Sequence, residues 1–148
     1  MVAREPSNGN RPSILDMAEE GLDSALDSLI RAIVARDLSD TLACLSSGRE
    51  PTVLGSEVGE SAVGLATIGA FFSRIYERST PFRFDFPVRS WTVQGDVAWL
   101  AAEGTVVEPA ATDSKLYRLT AVFVLEEGAW KLALWSGAEP ASSGSGLS

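Results

Sequence analysis

Near Pro81 the apolar residues stop recurring every three or four positions and begin to alternate. This change of period, from about 3.6 to 2, restricts the fold more than any other feature. It predicts helices first and then a meander of long strands, an α+β arrangement with the helices on one face of the sheet.

Upstream of the switch, Asp16 is suited to cap a helix over about Met17 to Arg36, with Leu22, Ala25, Leu26, Leu29, Ile30, Ile33 and Val34 on one stripe. Glu19 and Glu20 near its start and Arg36 near its end suit the helix dipole. Ser39 is expected to cap a short helix carrying Leu42, Ala43 and Leu45, and Thr52 to Leu54 to run extended. A third helix, from about Val63 to Arg78, places Leu65, Ile68, Phe71, Phe72, Ile75 and Tyr76 together.

Downstream, Phe82, Phe84 and Phe86 alternate with Arg83 and Asp85, and Trp91 and Val93 continue the strand beyond Pro87. Pro87 cannot donate to a ladder and marks an expected bulge. Gly95-Asp96 is a turn, and Val97–Glu108 and Lys115–Glu126 form a long hairpin. Glu127-Gly128 turns into a last strand, Trp130 to Ser136.

Parity then assigns the faces. Leu100, Ala102, Gly104 and Val106 with Tyr117, Leu119, Ala121, Phe123 and Leu125 form an apolar set that should cover the helices. Trp99, Glu103, Arg118, Thr120 and Val122 point the other way. Carrying the alternation through Lys131 puts Trp135 on that outer face, and Trp130, Leu132, Leu134 and Ser136 inside. Trp99 and Trp135 on adjoining strands, with Arg118 and Val122, predict a sheet-to-sheet homodimer. The alternative is that the N-terminal arm or a loop covers them. Phe72, Tyr76, Leu100, Tyr117, Leu119, Phe123, Leu134 and Ser136 are the expected lining of an inner pocket for a small apolar or aromatic ligand.

The totals exclude several functions. The 148 residues fit one domain, expected over 14–140 between a disordered arm at 1–13 and a flexible tail at 141–148. Histidine is absent and cysteine occurs once, at Cys44. No imidazole-based triad or intrachain disulfide can therefore be built, zinc is not expected with one Cys and no His, and neither another metal nor a cofactor is expected. A net charge of −8 opposes nucleic acid and anionic membrane surfaces. With no apolar run long enough for a membrane span or a signal peptide, the cytoplasm is the expected location.

Three stretches resemble the SnoaL-like branch of the nuclear transport factor 2-like superfamily. They are Val53-Leu54-Gly55-Ser56-Glu57 with Glu60 and Gly64, Gly95-Asp96-Val97-Ala98-Trp99, and Tyr117 to Val122 followed by Gly128-Ala129-Trp130-Lys131-Leu132. The resemblance implies a cone-shaped, curved antiparallel sheet packed on three N-terminal helices around a pocket, commonly in a dimer. The superfamily includes isomerases, polyketide cyclases, dehydratases, epoxide hydrolases and members without known activity, so no single reaction follows. In such relatives the last strand often carries a pocket histidine within "WHxS"; here the stretch is Trp135-Ser136-Gly137-Ala138. The Asp-Arg-Asp set of the epoxide hydrolases is missing. Where ketosteroid isomerases place a carboxylate, near Leu54 to Ser56, the acid at hand is Glu57.

Three function classes stay open. The first is a small-molecule-binding domain with little or no catalysis. The second is an acid–base isomerase or cyclase acting on a polyketide- or steroid-like carbonyl compound, with Glu57 or Glu103 as acid–base group and Tyr117 as donor. The third is a dimerisation or scaffold module whose pocket is filled by its own side chains. Glu103 and Arg118 are expected as a diagonal pair, read first as a structural salt bridge.

Overall fold

The computed structural model describes residues 13–78 and 80–141. The expected arm and tail lie outside the described residues except for Ser13 and Ala141. Ser13 belongs to the fold: its side chain accepts from the Asp16 amide at 3.0 Å as the cap of helix α1 (Ile14–Ala35). Asp16 is thus the third helical residue of a capping box rather than the cap. The next helix, α2 (Leu38–Ala43), is capped by Asp37 and not by Ser39. In both cases an acceptor one turn earlier reaches the free amides. A third helix, α3 (Leu65–Ile75), is shorter at both ends than the apolar pattern suggests; Gly64 precedes it at φ 90°, outside the helical region.

Six strands make one sheet: β1 (Thr52–Leu54), β2 (Ser61–Val63), β3 (Arg83–Gln94), β4 (Val97–Val107), β5 (Lys115–Glu126) and β6 (Ala129–Ala138). Their order is β2-β1-β6-β5-β4-β3. The meander β3 to β6 is antiparallel as its periodicity predicts, while β1 joins β6 in parallel. The short β2, hidden in the sequence by its length, pairs with β1. The helices cover one face of this curved, unclosed sheet, which makes an α+β cone.

Two irregularities set the faces. Between Asp85 and Val88 the β3 register shifts, with Phe86 and Pro87 opposite Gly104. Inward parity therefore passes from Phe84 and Phe86 to Arg89, Trp91 and Val93. A Cβ on Gly104 would collide with the Asp85 carbonyl, so the bulge needs glycine opposite it.

The second shift lies in β6. Val122 pairs with Leu134 but Phe123 pairs with Leu132, leaving Ala133 as an extra residue. Beyond Ala133 the faces are exchanged. Trp135 is only 5% exposed and packs inside, while Leu134 and Ser136 pair with Val122 and Thr120 on the opposite face. The inward placing of Leu134 and Ser136 and the outward placing of Trp135 are thus corrected: alternation counted from Lys131 cannot register an inserted residue. Leu132 precedes the insertion and stays buried inside.

Elsewhere the hairpin follows its pattern. Leu100, Ala102, Val106, Tyr117, Leu119, Ala121 and Phe123 are all buried, against Leu22, Leu26, Leu29 and Ile33 of α1 and Ile68 and Phe72 of α3. Leu125 is only half-buried. No helix among the described residues is long and apolar enough to cross a membrane.

Candidate functional site

A hollow lies between the sheet and the helices. Leu29 and Ile33 of α1, Phe71, Phe72 and Ile75 of α3, Phe82 and Phe84, and Tyr117 and Trp135 contribute to an apolar wall of mixed aliphatic and aromatic side chains. The empty volume is about 640 Å³ including the open mouth, but the centre of a water molecule fits within only about 50 Å³ of it. That is room for a few waters, or for a slender apolar body that enters through the mouth.

The wall is rigidly built. Phe82, Phe84 and Phe86 stack in series at 5.8 and 5.9 Å, and Phe84 meets the edges of Tyr117 and Trp135, each at 5.2 Å. Trp135 Nε1 donates to Tyr117 Oη at 3.1 Å. The phenol lies where a Cβ of residue 137 would be, so Gly137 makes room for it. Burial pushes the Tyr117 hydroxyl up to about 12, with the Trp135 bond opposing. Tyr117 is therefore a neutral donor at physiological pH, never a base.

Polar groups converge at the mouth. Ser56 and Glu60 come from the β1–β2 loop, and Glu108 and Glu139 are the residues that follow β4 and β6. The Glu57 amide donates to Glu60 Oε1 at 3.0 Å, and Ser56 Oγ donates to Glu139 Oε2 at 2.8 Å. Lys115 Nζ stands 3.3 Å from Glu108 and 3.6 Å from Glu139.

The two carboxyls of this pair are pushed apart. Burial raises Glu108 above the usual carboxylate range, with Lys115 opposing and Glu139 reinforcing. The Ser56 hydroxyl, chiefly, holds Glu139 below that range, against its own partial burial and with help from Glu108 and Lys115. The two acids interact and release their protons as a pair, an arrangement open to acid–base work. Glu57, Glu108 and Glu139 bring carboxylate oxygens within 4.8 Å of one another, the one grouping among the described residues able to offer a hard cation three ligands. Two of the three already face Lys115.

The expected residues divide clearly. Phe72 and Tyr117 line the hollow, and Glu57 stands at its exposed rim. Leu100, Leu119 and Phe123 are close-packed core beyond it. Tyr76 turns to α2, where its hydroxyl meets Thr41 Oγ1 at 2.7 Å. Leu134 and Ser136 lie on the other face of the sheet, as described above.

Glu103 and Arg118 are also on that face, directly opposed rather than diagonal, 3.9 Å apart and well exposed. Trp99 and Val122 share it, Trp99 being 43% exposed, but Trp135 does not. Glu60, Glu108, Glu139 and Trp135 went unassigned to the site in the sequence. One signal for two of them is present: Glu108 and Glu139 each follow a strand directly and precede a proline.

Comparison with known proteins agrees with this architecture. None of the curated proteins matches the chain. Among solved structures, a nuclear transport factor 2-like family protein from Streptomyces avermitilis superposes with a TM-score of 0.77 at 14% identity, over 86% of this chain and 99% of that one. A protein with a cystatin-like fold from Nostoc punctiforme gives 0.71 at 16% identity, over 88% and 96%. A ketosteroid isomerase-like protein from Erwinia carotovora atroseptica gives 0.65 at 15% identity, over 83% and 96%. At such identities the likeness establishes the fold alone. The sequence profile of the SnoaL-like domain, however, matches residues 22–141, most of the chain, and the protein belongs to that family.

Proposed function

We propose that the protein is a small-molecule-binding domain whose hollow takes a slender apolar or aromatic body with its polar head at the mouth. The observation that carries this reading is the convergence of Ser56, Glu60, Glu108 and Glu139, with the Tyr117 hydroxyl, on an otherwise apolar wall. Apolar walls supply affinity, and a few fixed polar groups supply orientation. A scaffold whose pocket is filled by Phe72, Tyr76 and Phe123 fits less well, because of the three only Phe72 lines the hollow. Native mass spectrometry of protein purified without added ligand tests the reading, together with ligand-observed NMR against small aromatic and aliphatic compounds. A retained adduct or saturable binding is expected; an adduct-free protein that binds none of them would overturn it.

A second reading, proton transfer on an enolisable carbonyl compound, is favoured by the opposed shifts of Glu108 and Glu139 beside the Tyr117 hydroxyl. Ionised Glu139 would take a proton α to the carbonyl, Tyr117 would donate to the developing oxyanion, and protonated Glu108 would return a proton. Glu103, on the far face, has no part in it. Exchange of α-protons of a cyclic ketone in heavy water is the readout. Glu139→Gln should cut the rate at least about tenfold if Glu139 is the base; exchange no faster than in buffer sinks the idea.

The face bearing Trp99, Val122 and the Glu103–Arg118 pair is proposed as a homodimer contact, now without Trp135. Light scattering at micromolar concentration should give twice the chain mass, and a monomer there ends the proposal.

A further inference from the structure

The rim carries more acid than the fold uses. Glu60 lines the mouth, Glu57, Glu108 and Glu139 cluster beside it, and Lys115 is the one cation that pairs with any of the four among the described residues. Behind them stand the rings of Phe84, Tyr117 and Trp135, packed edge to face in an apolar wall. A low-dielectric wall below a one-signed rim also focuses the field on an entering charge.

A second, independent observation comes from Tyr117. It is 5% exposed, lines the hollow and accepts from Trp135, yet its own O–H has no acceptor among the described residues. A hydroxyl that accepts one bond still has a proton to donate, and Tyr117 is one of the residues that line the hollow.

We propose that the occupant of the hollow is an amphiphilic organic ammonium ion with an oxygen close to its nitrogen, of the amino-alcohol kind. Its alkyl or aryl body lies along the phenylalanines, its ammonium group faces Glu60 and Glu139, and its oxygen accepts from Tyr117. Fatty acids and other carboxylates of the same body are excluded by the rim. This assignment rests on the reading of the hollow as a binding site, and it adds the sign of the ligand's charge.

The test is titration calorimetry at low and moderate salt with four probes of one chain length: 1-amino-2-octanol, octylamine, 1-octanol and octanoate. The amino alcohol should bind tightest and octanoate weakest, by about tenfold or more, with the gap narrowing as salt rises. Glu60→Gln and Glu139→Gln should each shrink the gap between amino alcohol and 1-octanol. Either variant suffices if the other does not fold. Tyr117→Phe should weaken the amino alcohol toward octylamine. Octanoate binding as well as the amino alcohol overturns the charge assignment but leaves the binding site standing. Failure of all four to bind removes both.

Discussion

Two regions of the molecule use charge differently. In one, Arg89 reaches across from β3 to α1, 3.1 Å from Asp23 and 2.7 Å from Asp27, and Trp91 Nε1 donates to Asp23 at 2.8 Å. One cation there ties two acids of the neighbouring helix, and Trp91 packs edge-on to the fully buried Phe123. Around the hollow, Glu57, Glu60, Glu108 and Glu139 have Lys115 as their one paired cation among the described residues, the core opens and a buried hydroxyl keeps a free proton. Bridged charge over a filled core joins two elements; excess charge over a void is what a site for another molecule requires.

Substitutions can break or sharpen this contrast. The largest effect is expected in the filled half: Phe123→Ala should cost about 3–5 kcal/mol in urea unfolding, and Phe84→Ala roughly half as much, because Phe84 already borders empty space. Equal losses would mean that the hollow is as tightly packed as the core around Phe123. Gly137→Ala comes next. Its methyl would displace the Tyr117 phenol, so a loss of about 1–3 kcal/mol is expected, with the indole N–H resonance of Trp135 moving in the NMR spectrum. Arg89→Met should cost about 1 kcal/mol, since it strands two half-exposed aspartates.

The smallest effect has the opposite sign. Because the folded-state pKa of Glu108 is raised, its favourable contribution is present below the ordinary carboxylate range and is lost as pH rises through the raised value. Glu108→Gln should therefore stabilise the protein at neutral pH, by less than about 1 kcal/mol, and the gain should vanish in acid. Glu139, with its pKa lowered, behaves in reverse: its contribution is present above the ordinary range and is lost as pH falls through the lowered value. Melting curves of Glu139→Gln should show a deficit at neutral pH that closes in acid.

The filled core was far more legible in the sequence than the rim of the hollow, for a physical reason. Leu22, Leu26, Leu100, Leu119 and Phe123 announce themselves by periodicity, because burial on a helix stripe or strand face repeats at fixed spacing. The rim has no such repeat. Glu57, Glu60, Glu108 and Glu139 sit in loops or just past strand ends and meet only because β1 lies beside β6, and β5 lies between β6 and β4. Trp135 was misplaced by one inserted residue, Ala133, which carries no turn signal. The bulge at Pro87 could be anticipated because proline states its own conflict with the ladder; alanine states nothing.

Trp135 has a practical consequence. Of the four indoles in the chain it is the one on the wall of the hollow, in contact with Phe84 and bonded to Tyr117, while Trp91, Trp99 and Trp130 do not line it. An arriving guest would thus alter the emission of a single chromophore and its energy transfer from the adjacent phenol, so the protein carries its own optical gauge of occupancy.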